Sequence, residues 1–391
     1  MAALVEGTVG ILPPGALGVS LFYHLTGGLK RLDRGVFFLE RSGSASAREL
    51  RRSGELVIAA GDQVNRLPAT GLIRRDLLSC HREDFLPEIV IACPNPDQLL
   101  GITTSCVELL ERVYEQGELW GGALPIPIVV LSSNGIYFQR IRQIYIEKIE
   151  EATLLGRLPD LWPNLMPQIV GRLLRGVTIQ TGVREGSGAQ TIYHPGPRGI
   201  TRLAGGDEVS RHRAWQVLSG LGGWFELAGN SSATRLEFDK ALVNLAANLL
   251  GQLYAIGDEG QFTPLRVEQI VVAAHQDEIR RLAREVFGVG KAVKAYGATE
   301  DFEAVFARML ESLYQHLSHI PSSIQWLDLK LRTSTLRPEL TPTETWLLDP
   351  LVRYARSAGL DETVRFFEEL RQRLLERLAL VCRSKAGRRR A

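Results

Sequence analysis

The feature that most limits the fold of this chain is a change of hydrophobic rhythm partway along it. Up to residue 206, short apolar, β-branched runs alternate with amphipathic helical stretches, the grammar of βαβ units on a parallel sheet. Residues 8–12 (TVGIL), 35–39 (GVFFL), 88–92 (EIVIA) and 126–131 (IPIVVL) read as strands, nearly all apolar, as strands covered on both faces are. Residues 56–60 read as a further strand. Residues 176–181 and 191–193 read as two more, with a Gly-rich turn between them at Gly186 and Gly188. Helices are expected at 17–25 and 98–114, and a charged amphipathic helix at 137–155 reads as an insertion. Beyond residue 206 the segments 211–227, 231–254, 264–286, 299–317 and 347–380 all carry apolar residues at helical spacing. The expectation is an α/β domain with a parallel sheet over residues 1–206 and an all-α domain over 207–391. A chain of 391 residues suits such a division, being long for one core.

Charge excludes little and favours nothing. Lys plus Arg number 46 against 44 for Asp plus Glu, so no global bias draws the chain to nucleic acid or an acidic membrane. The Arg388, Arg389, Arg390 cluster reads as a solvated terminus. No stretch approaches the ~18 apolar residues of a membrane span, and the start lacks the pattern of a signal peptide. Cys80, Cys93, Cys106 and Cys382 form no CxxC pair and no metal-type spacing, so no metal is expected and a reducing, cytoplasmic setting is the default.

The stretch Gly10-Ile11-Leu12-Pro13-Pro14-Gly15-Ala16-Leu17-Gly18 follows the first strand and opens the first helix. That is where a Rossmann domain binds pyrophosphate, through glycines that admit the backbone and amides at a helix N-terminus. Gly15 and Gly18 hold the second and third glycine positions of GxGxxG. Pro13 holds the first, so the turn is stiffer and lacks a donor. Such turns occur in many α/β proteins; the position at the chain start makes Gly15, Ala16, Leu17 and Gly18 the expected dinucleotide cradle. Glu40 and Arg41 close the second strand, where a carboxylate favours the 2′-hydroxyl of NAD and an arginine the 2′-phosphate of NADP. Arg41, followed by Ser42, Ser44, Arg48, Arg51 and Arg52, points to NADP(H) over NAD. A solvated helix face is the other reading of these arginines, Arg41 included, and the stronger one for Arg51 and Arg52.

In the helical half, Lys240, Asn244 and Asn248 stand four residues apart on one stripe, framed by apolar residues. The stripe faces either solvent or a polar cleft, because burying it without partners is costly. His319-Ile320-Pro321-Ser322-Ser323-Ile324-Gln325 reads as a helix entry whose hydroxyls cap or bind. Glu344, at the start of the last long helix, is placed to complement its dipole.

Taken in order, Lys-x3-Asn-x3-Asn, HxPSxxQ and Thr343-Glu344 before a long helix resemble the C-terminal signature of the ketopantoate reductase (2-dehydropantoate 2-reductase) family. GALG at 15–18, the arginine after the second strand, Asn134-Gly135 after a strand, and the unit 176–199 ending in HPGPRG are similar as well. The resemblance touches most of the chain through scattered motifs. It implies an NADPH-dependent oxidoreductase of pantothenate biosynthesis, with a helical domain like that of 6-phosphogluconate dehydrogenase and a 2-keto acid in the cleft between domains. By the same resemblance Lys240 is the general acid and Glu344 holds the substrate hydroxyl and tunes that lysine. Asn244, Asn248, Ser322 and Ser323 bind the substrate, and Asn134 lies near nicotinamide and substrate. Asn95 stands at a cofactor position where many members carry lysine. The chemistry agrees: a ketone oxygen gaining negative charge needs a protonated donor nearby, while the nicotinamide carries the hydride.

The sequence departs from the family at Pro13, at Asn95, at Leu249 (often proline) and at Trp326 (usually acidic). A longer segment precedes Glu344 and makes Glu339 a rival carboxylate. Two other readings stand beside the first. One is an opine- or 2-hydroxyacid-type dehydrogenase with a bulkier substrate, favoured by Trp326. The other is a non-catalytic dinucleotide-binding regulatory protein, favoured by Pro13 and Asn95. The Lys240 stripe favours an enzyme. The assembly is open, a homodimer being one reading.

Overall fold

The computed structural model describes residues 4–40, 44–120, 124–186, 188–222 and 224–388. Two compact units divide the chain: Met1–Ser133 with Phe138–Ala233, and Asn134–Tyr137 with Thr234–Ala391.

The first unit is built on β1 (Leu4–Leu12), α1 (Ala16–Leu25), β2 (Val36–Leu39), α2 (Ala45–Ser53), β3 (Glu55–Ala60), β4 (Gln63–Pro68), β5 (Ile73–Arg74), α3 (Leu77–Arg82), β6 (Leu86–Ala92), α4 (Leu99–Glu115) and β7 (Ile128–Leu131). It continues through α5 (Phe138–Leu154), α6 (Met166–Gly171), β8 (Leu173–Thr178), β9 (Gly182–Glu185), β10 (Ile192–Pro195), β11 (Thr201–Ala204), α7 (Glu208–Gly222) and β12 (Phe225–Leu227). The main sheet runs β12-β11-β8-β7-β6-β1-β2-β5, parallel throughout except where β11 meets β8. Val9, Ile11, Ile89 and Ile91 are buried with Val19 and Phe22 of α1, which is why these strands read as unbroken apolar runs. The α/β first half is therefore as expected.

Four expectations change. The strand at 56–60 forms, but outside the main sheet: β3 pairs with β4 and β10 in a second sheet ordered β4-β3-β10-β9. The expected pairing of 176–181 with 191–193 is replaced: β8 joins the main sheet, and β9 pairs antiparallel with β10. The segment 211–227 is not one helix, because α7 stops at Gly222 and Phe225–Leu227 extends as β12 beside β11. Helix α5 is no insertion either. It is the crossover between parallel strands β7 and β8 and packs on α4. With α7 and β12 bound to the main sheet, the rhythm change at Gly205 and Gly206 lies inside the first unit, which ends at Ala233.

The second unit is helical. Helix α8 (Ala233–Asn244) leads through a π-helical turn, Leu245–Leu250, into α9 (Gly251–Ala255). There follow α10 (Val267–Ile270), α11 (Gln276–Ala292), α12 (Phe302–Tyr314), α13 (Ser322–Arg332), α14 (Pro342–Ser357) and α15 (Asp361–Arg388). Phe238, Leu242, Leu245, Leu282, Val286, Leu348, Leu351 and Phe367 share its core. Two of the expected long helices are broken. At 264–286 the side chains of His275 and Gln276 take the carbonyls of Ile270 and Val271, ending α10 before α11 begins. At 347–380 the chain turns at Gly359, whose φ of +69° closes α14 in the left-handed conformation. No helix among the described residues is long and apolar enough to cross a membrane.

Arg175 on β8 ties down the carboxyl end of β7. It is 1% exposed. Nη1 donates to the carbonyls of Leu131 (2.7 Å) and Gly176 (2.8 Å), and Nη2 to that of Ser133 (2.8 Å). Arg175→Met, which keeps the stem, strands these acceptors and is expected to cost roughly 3 kcal/mol in urea unfolding. A loss below about 1 kcal/mol would mean that water replaces the guanidinium.

Candidate active site

In the first unit the site starts at the end of β1. Gly15, extended at φ −90° and ψ −175°, is the N-cap of α1. No side chain caps this helix and no acidic residue occupies its first turn. Gly15 N donates to Pro13 O at 2.8 Å, closing the turn, and Val19 N makes the first helical bond to Gly15 O at 2.8 Å. A Cβ on Gly18 would collide with the Pro13 carbonyl oxygen, so α1 passes the strand end this closely only with glycine there. A Cβ on Gly15 would meet nothing nearer than Pro13 Cγ at 4.0 Å; the space before it is open. Ala16 and Leu17 are half-buried beside it. An uncapped helix start facing open space, with its partial positive charge, has the chemistry of an anion cradle.

The neighbouring strand ends complete that edge. Cys93 N donates to Leu12 O at 2.7 Å, which sets the segment after β6 beside the end of β1. Asn95 is exposed there, before the short turn Pro96–Gln98, and its side chain caps nothing. β1 lies between β6 and β2, so the chain leaves it in opposite directions, a topological switch point. At the end of β2, Glu40 is engaged by Arg51 of α2 at 2.5 Å. Arg41 and Ser42 lie outside the described residues.

In the second unit Lys240 Nζ donates to Asn134 Oδ1. Asn134 begins a segment that is itself anchored: Ile136 N donates to Trp346 O at 3.2 Å, and Tyr137 N to Glu237 Oε1 at 3.3 Å. Asn248, buried, accepts at Oδ1 from Ser323 N (3.1 Å) and Ser322 Oγ (3.3 Å). Because a backbone amide can only donate, the orientation of that side-chain amide is determined, and Nδ2 points elsewhere. Asn244 is half-buried with no hydrogen bond to a described residue.

Glu344 is 1% exposed. Oε1 accepts from Ser323 Oγ and from Gln252 Nε2 (3.1 Å), while Oε2 has no partner among the described residues. Burial pushes its carboxyl above the usual range, opposed mainly by the Ser323 hydrogen bond. Lys240 thus meets Asn134, and the Glu344 carboxylate meets Ser323 and Gln252. Glu339, the rival, is exposed in the preceding loop. Trp326 is half-buried against the helical core.

Three contributors escaped the sequence reading. Gln252 is the next four-residue step after Lys240, Asn244 and Asn248, so extending the stripe finds it. In an α-helix such steps drift around the axis. The wider π-helical turn at Leu245–Leu250 opposes that drift and returns Asn248 and Gln252 to one buried polar face. Glu237, 2% exposed, sits in the charged run Arg235-Leu236-Glu237-Phe238-Asp239-Lys240, where nothing in the sequence singles it out for burial. Arg175 carries no local signal.

No protein-family model and no curated protein matches the sequence. Solved structures do match the fold. A D-mandelate dehydrogenase in ternary complex with NADH and anilino(oxo)acetate is 15% identical, covers 95% of this chain and 99% of its own, and has a TM-score of 0.63. A probable 2-dehydropantoate 2-reductase from Bacillus subtilis is 15% identical over 94% of this chain and 99% of its own, with a TM-score of 0.58. The 2-dehydropantoate 2-reductase of Geobacter metallireducens is 18% identical with the same coverage and a TM-score of 0.55. The chain has the fold of these enzymes.

The raised pKa of Glu344 has a testable sign. Between the unfolded and folded pKa values the native state holds more protons than the unfolded one, so stability falls as pH rises through that window. Glu344→Gln removes this dependence. Relative to wild type, the variant is expected to gain stability as pH rises from about 4.5, with a plateau above the folded pKa. Urea midpoints across pH measure it. Parallel curves would mean the carboxylate is ionised at no cost.

Proposed function

We propose that the chain is a reductase that uses NADPH to convert a small 2-keto acid into the 2-hydroxy acid, with 2-dehydropantoate the first substrate to try. The observation that carries this reading is Lys240 Nζ held by Asn134 Oδ1, on a helix that continues through the π-helical turn to the buried polar residues Asn248 and Gln252. An ammonium has three donors. The bond to Asn134 orients the ammonium, and a protonated donor of this kind is what a carbonyl oxygen needs as it gains charge. Asn248 Nδ2 and the free amide of Asn244 suit a carboxylate, and Glu344 Oε2 suits a hydroxyl. These are the groups of a 2-keto acid and its product.

The residues of the first unit fit a dinucleotide. The open space before Gly15 and the uncapped amides of Ala16 and Leu17 suit its pyrophosphate, and Gly18 lets the helix start close to it. Asn95 suits a hydrogen bond to its polar groups. When bound, the nicotinamide supplies the hydride. NADPH is preferred because Arg51 already engages the Glu40 carboxylate that would otherwise select NAD, and Arg41 follows it in sequence.

One observation favours a second reading. The structure with the higher TM-score of the three is the D-mandelate dehydrogenase with NADH, which favours a bulkier, aromatic 2-keto acid and the unphosphorylated cofactor.

Lys240→Met is expected to reduce turnover on the right keto acid by roughly two to four orders of magnitude, with NADPH affinity little changed. Steady-state kinetics over a 2-keto-acid panel, with NADPH and NADH, measures this. A variant that keeps most of its activity would remove the general-acid role. A wild type that binds dinucleotide yet reduces no keto acid would leave the binding-protein reading. In fluorescence titrations NADPH is expected to bind more tightly than NADH, and Arg41→Ala or Arg51→Ala to narrow the gap. Equal affinities in the wild type would favour the second reading.

A further inference from the structure

The turn after β1 poses a problem that the second sheet answers. Pro13 and Pro14 stand where a dinucleotide turn has its first glycine and a free amide, and neither carries an N–H. The Gly15 amide is used internally on Pro13 O. What remains is the Pro14 carbonyl, one residue before the open space at Gly15. A carbonyl oxygen aimed there would oppose an anion with its own negative charge.

That carbonyl is taken. Tyr193 Oη, from β10, donates to Pro14 O at 2.9 Å in a buried bond, and the ring, 4% exposed, packs in the core of the first unit. The same hairpin is fastened to α1 twice more. Ser20 Oγ donates to Thr181 O at 2.6 Å and accepts from Gln180 Nε2 at 2.8 Å. Gly182 lies so close to α1 that a Cβ there would stand 2.5 Å from the Ala16 carbonyl oxygen. Strand β9 and strand β10 therefore rest on the first turn of α1.

We propose that Tyr193 is a positioning residue for the dinucleotide: its hydroxyl holds the Pro14 carbonyl on the side of the second sheet and so leaves the Ala16 and Leu17 amides to face the pyrophosphate. The role of the missing first glycine, shaping the turn, passes to a side chain from another sheet. This rests on the dinucleotide reading above.

Tyr193→Phe tests it, since the ring and its packing remain and one hydroxyl is lost. NADPH affinity, by fluorescence titration, is expected to fall about tenfold, the effect of one hydrogen bond. Inorganic pyrophosphate, as a competitor, should weaken in parallel, while adenosine binding stays unchanged. In the unliganded protein, hydrogen exchange of the amides at 15–19 should quicken and that of β6 and β7 should not. A variant that binds NADPH as tightly as wild type, or that loses adenosine and pyrophosphate alike, overturns the positioning role. So does unchanged exchange at 15–19. If the wild type itself binds no dinucleotide, the functional reading fails and this inference with it; because that loss appears before any substitution, the two failures are told apart.

Discussion

The approach of α1 to the end of β1 is the constraint on which the first unit depends. The Pro13 carbonyl occupies the space where a side chain at residue 18 would stand, so the helix can start there only on glycine. Once it does, Val19, Leu21, Phe22 and Leu25 reach the face of the sheet, and β2 can return parallel beside β1. The same closeness leaves the first, uncapped amides of the helix at the carboxyl edge of β6, β1 and β2, next to the open space at Gly15. Packing and chemistry thus share one contact.

The second unit obeys a different rule, that polar groups inside an apolar helical core must find one another. Asn248, Gln252, Ser323 and Glu344 come from α8's continuation, α13 and α14 and bond to one another, while the buried Glu344 Oε2 has no partner among the described residues. A network with one open position is poorly suited to pure stability, since the unmet acceptor costs free energy. Lys240 and Asn134 form a second pair, and that pair is anchored through Glu237 and the Trp346 carbonyl. The π-helical turn between the two sets is a local departure from regular helix of the kind concentrated at functional sites.

Structural likeness at 15–18% identity carries the architecture and not the substrate. On that architecture this chain carries two prolines in the turn, the Glu40–Arg51 pair, and Asn95 at the strand edge. In the proline turn the Pro14 carbonyl accepts from the Tyr193 hydroxyl, a group from a sheet that sequence rhythm alone does not place there.

Sequence by itself determined the elements whose signal is local and strong. The buried strands β1, β2, β6 and β7, the helices α1 and α4, the glycines at 15 and 18, and the stripe through Lys240, Asn244 and Asn248 were all legible, because burial on both faces or on one helical face imposes a periodicity. Only the tertiary structure decided the rest. The strands β9 and β12 are four and three residues long and owe their form to a neighbour's hydrogen bonds, not to their own side chains. The breaks before α11 and after α14 come from side-chain caps and one left-handed glycine inside otherwise periodic sequence. Arg175, Glu237 and Gln252 gain meaning from partners up to 100 residues distant in sequence. Periodicity reports which face of a segment is buried; it does not report what that face meets, and the site is made of those meetings.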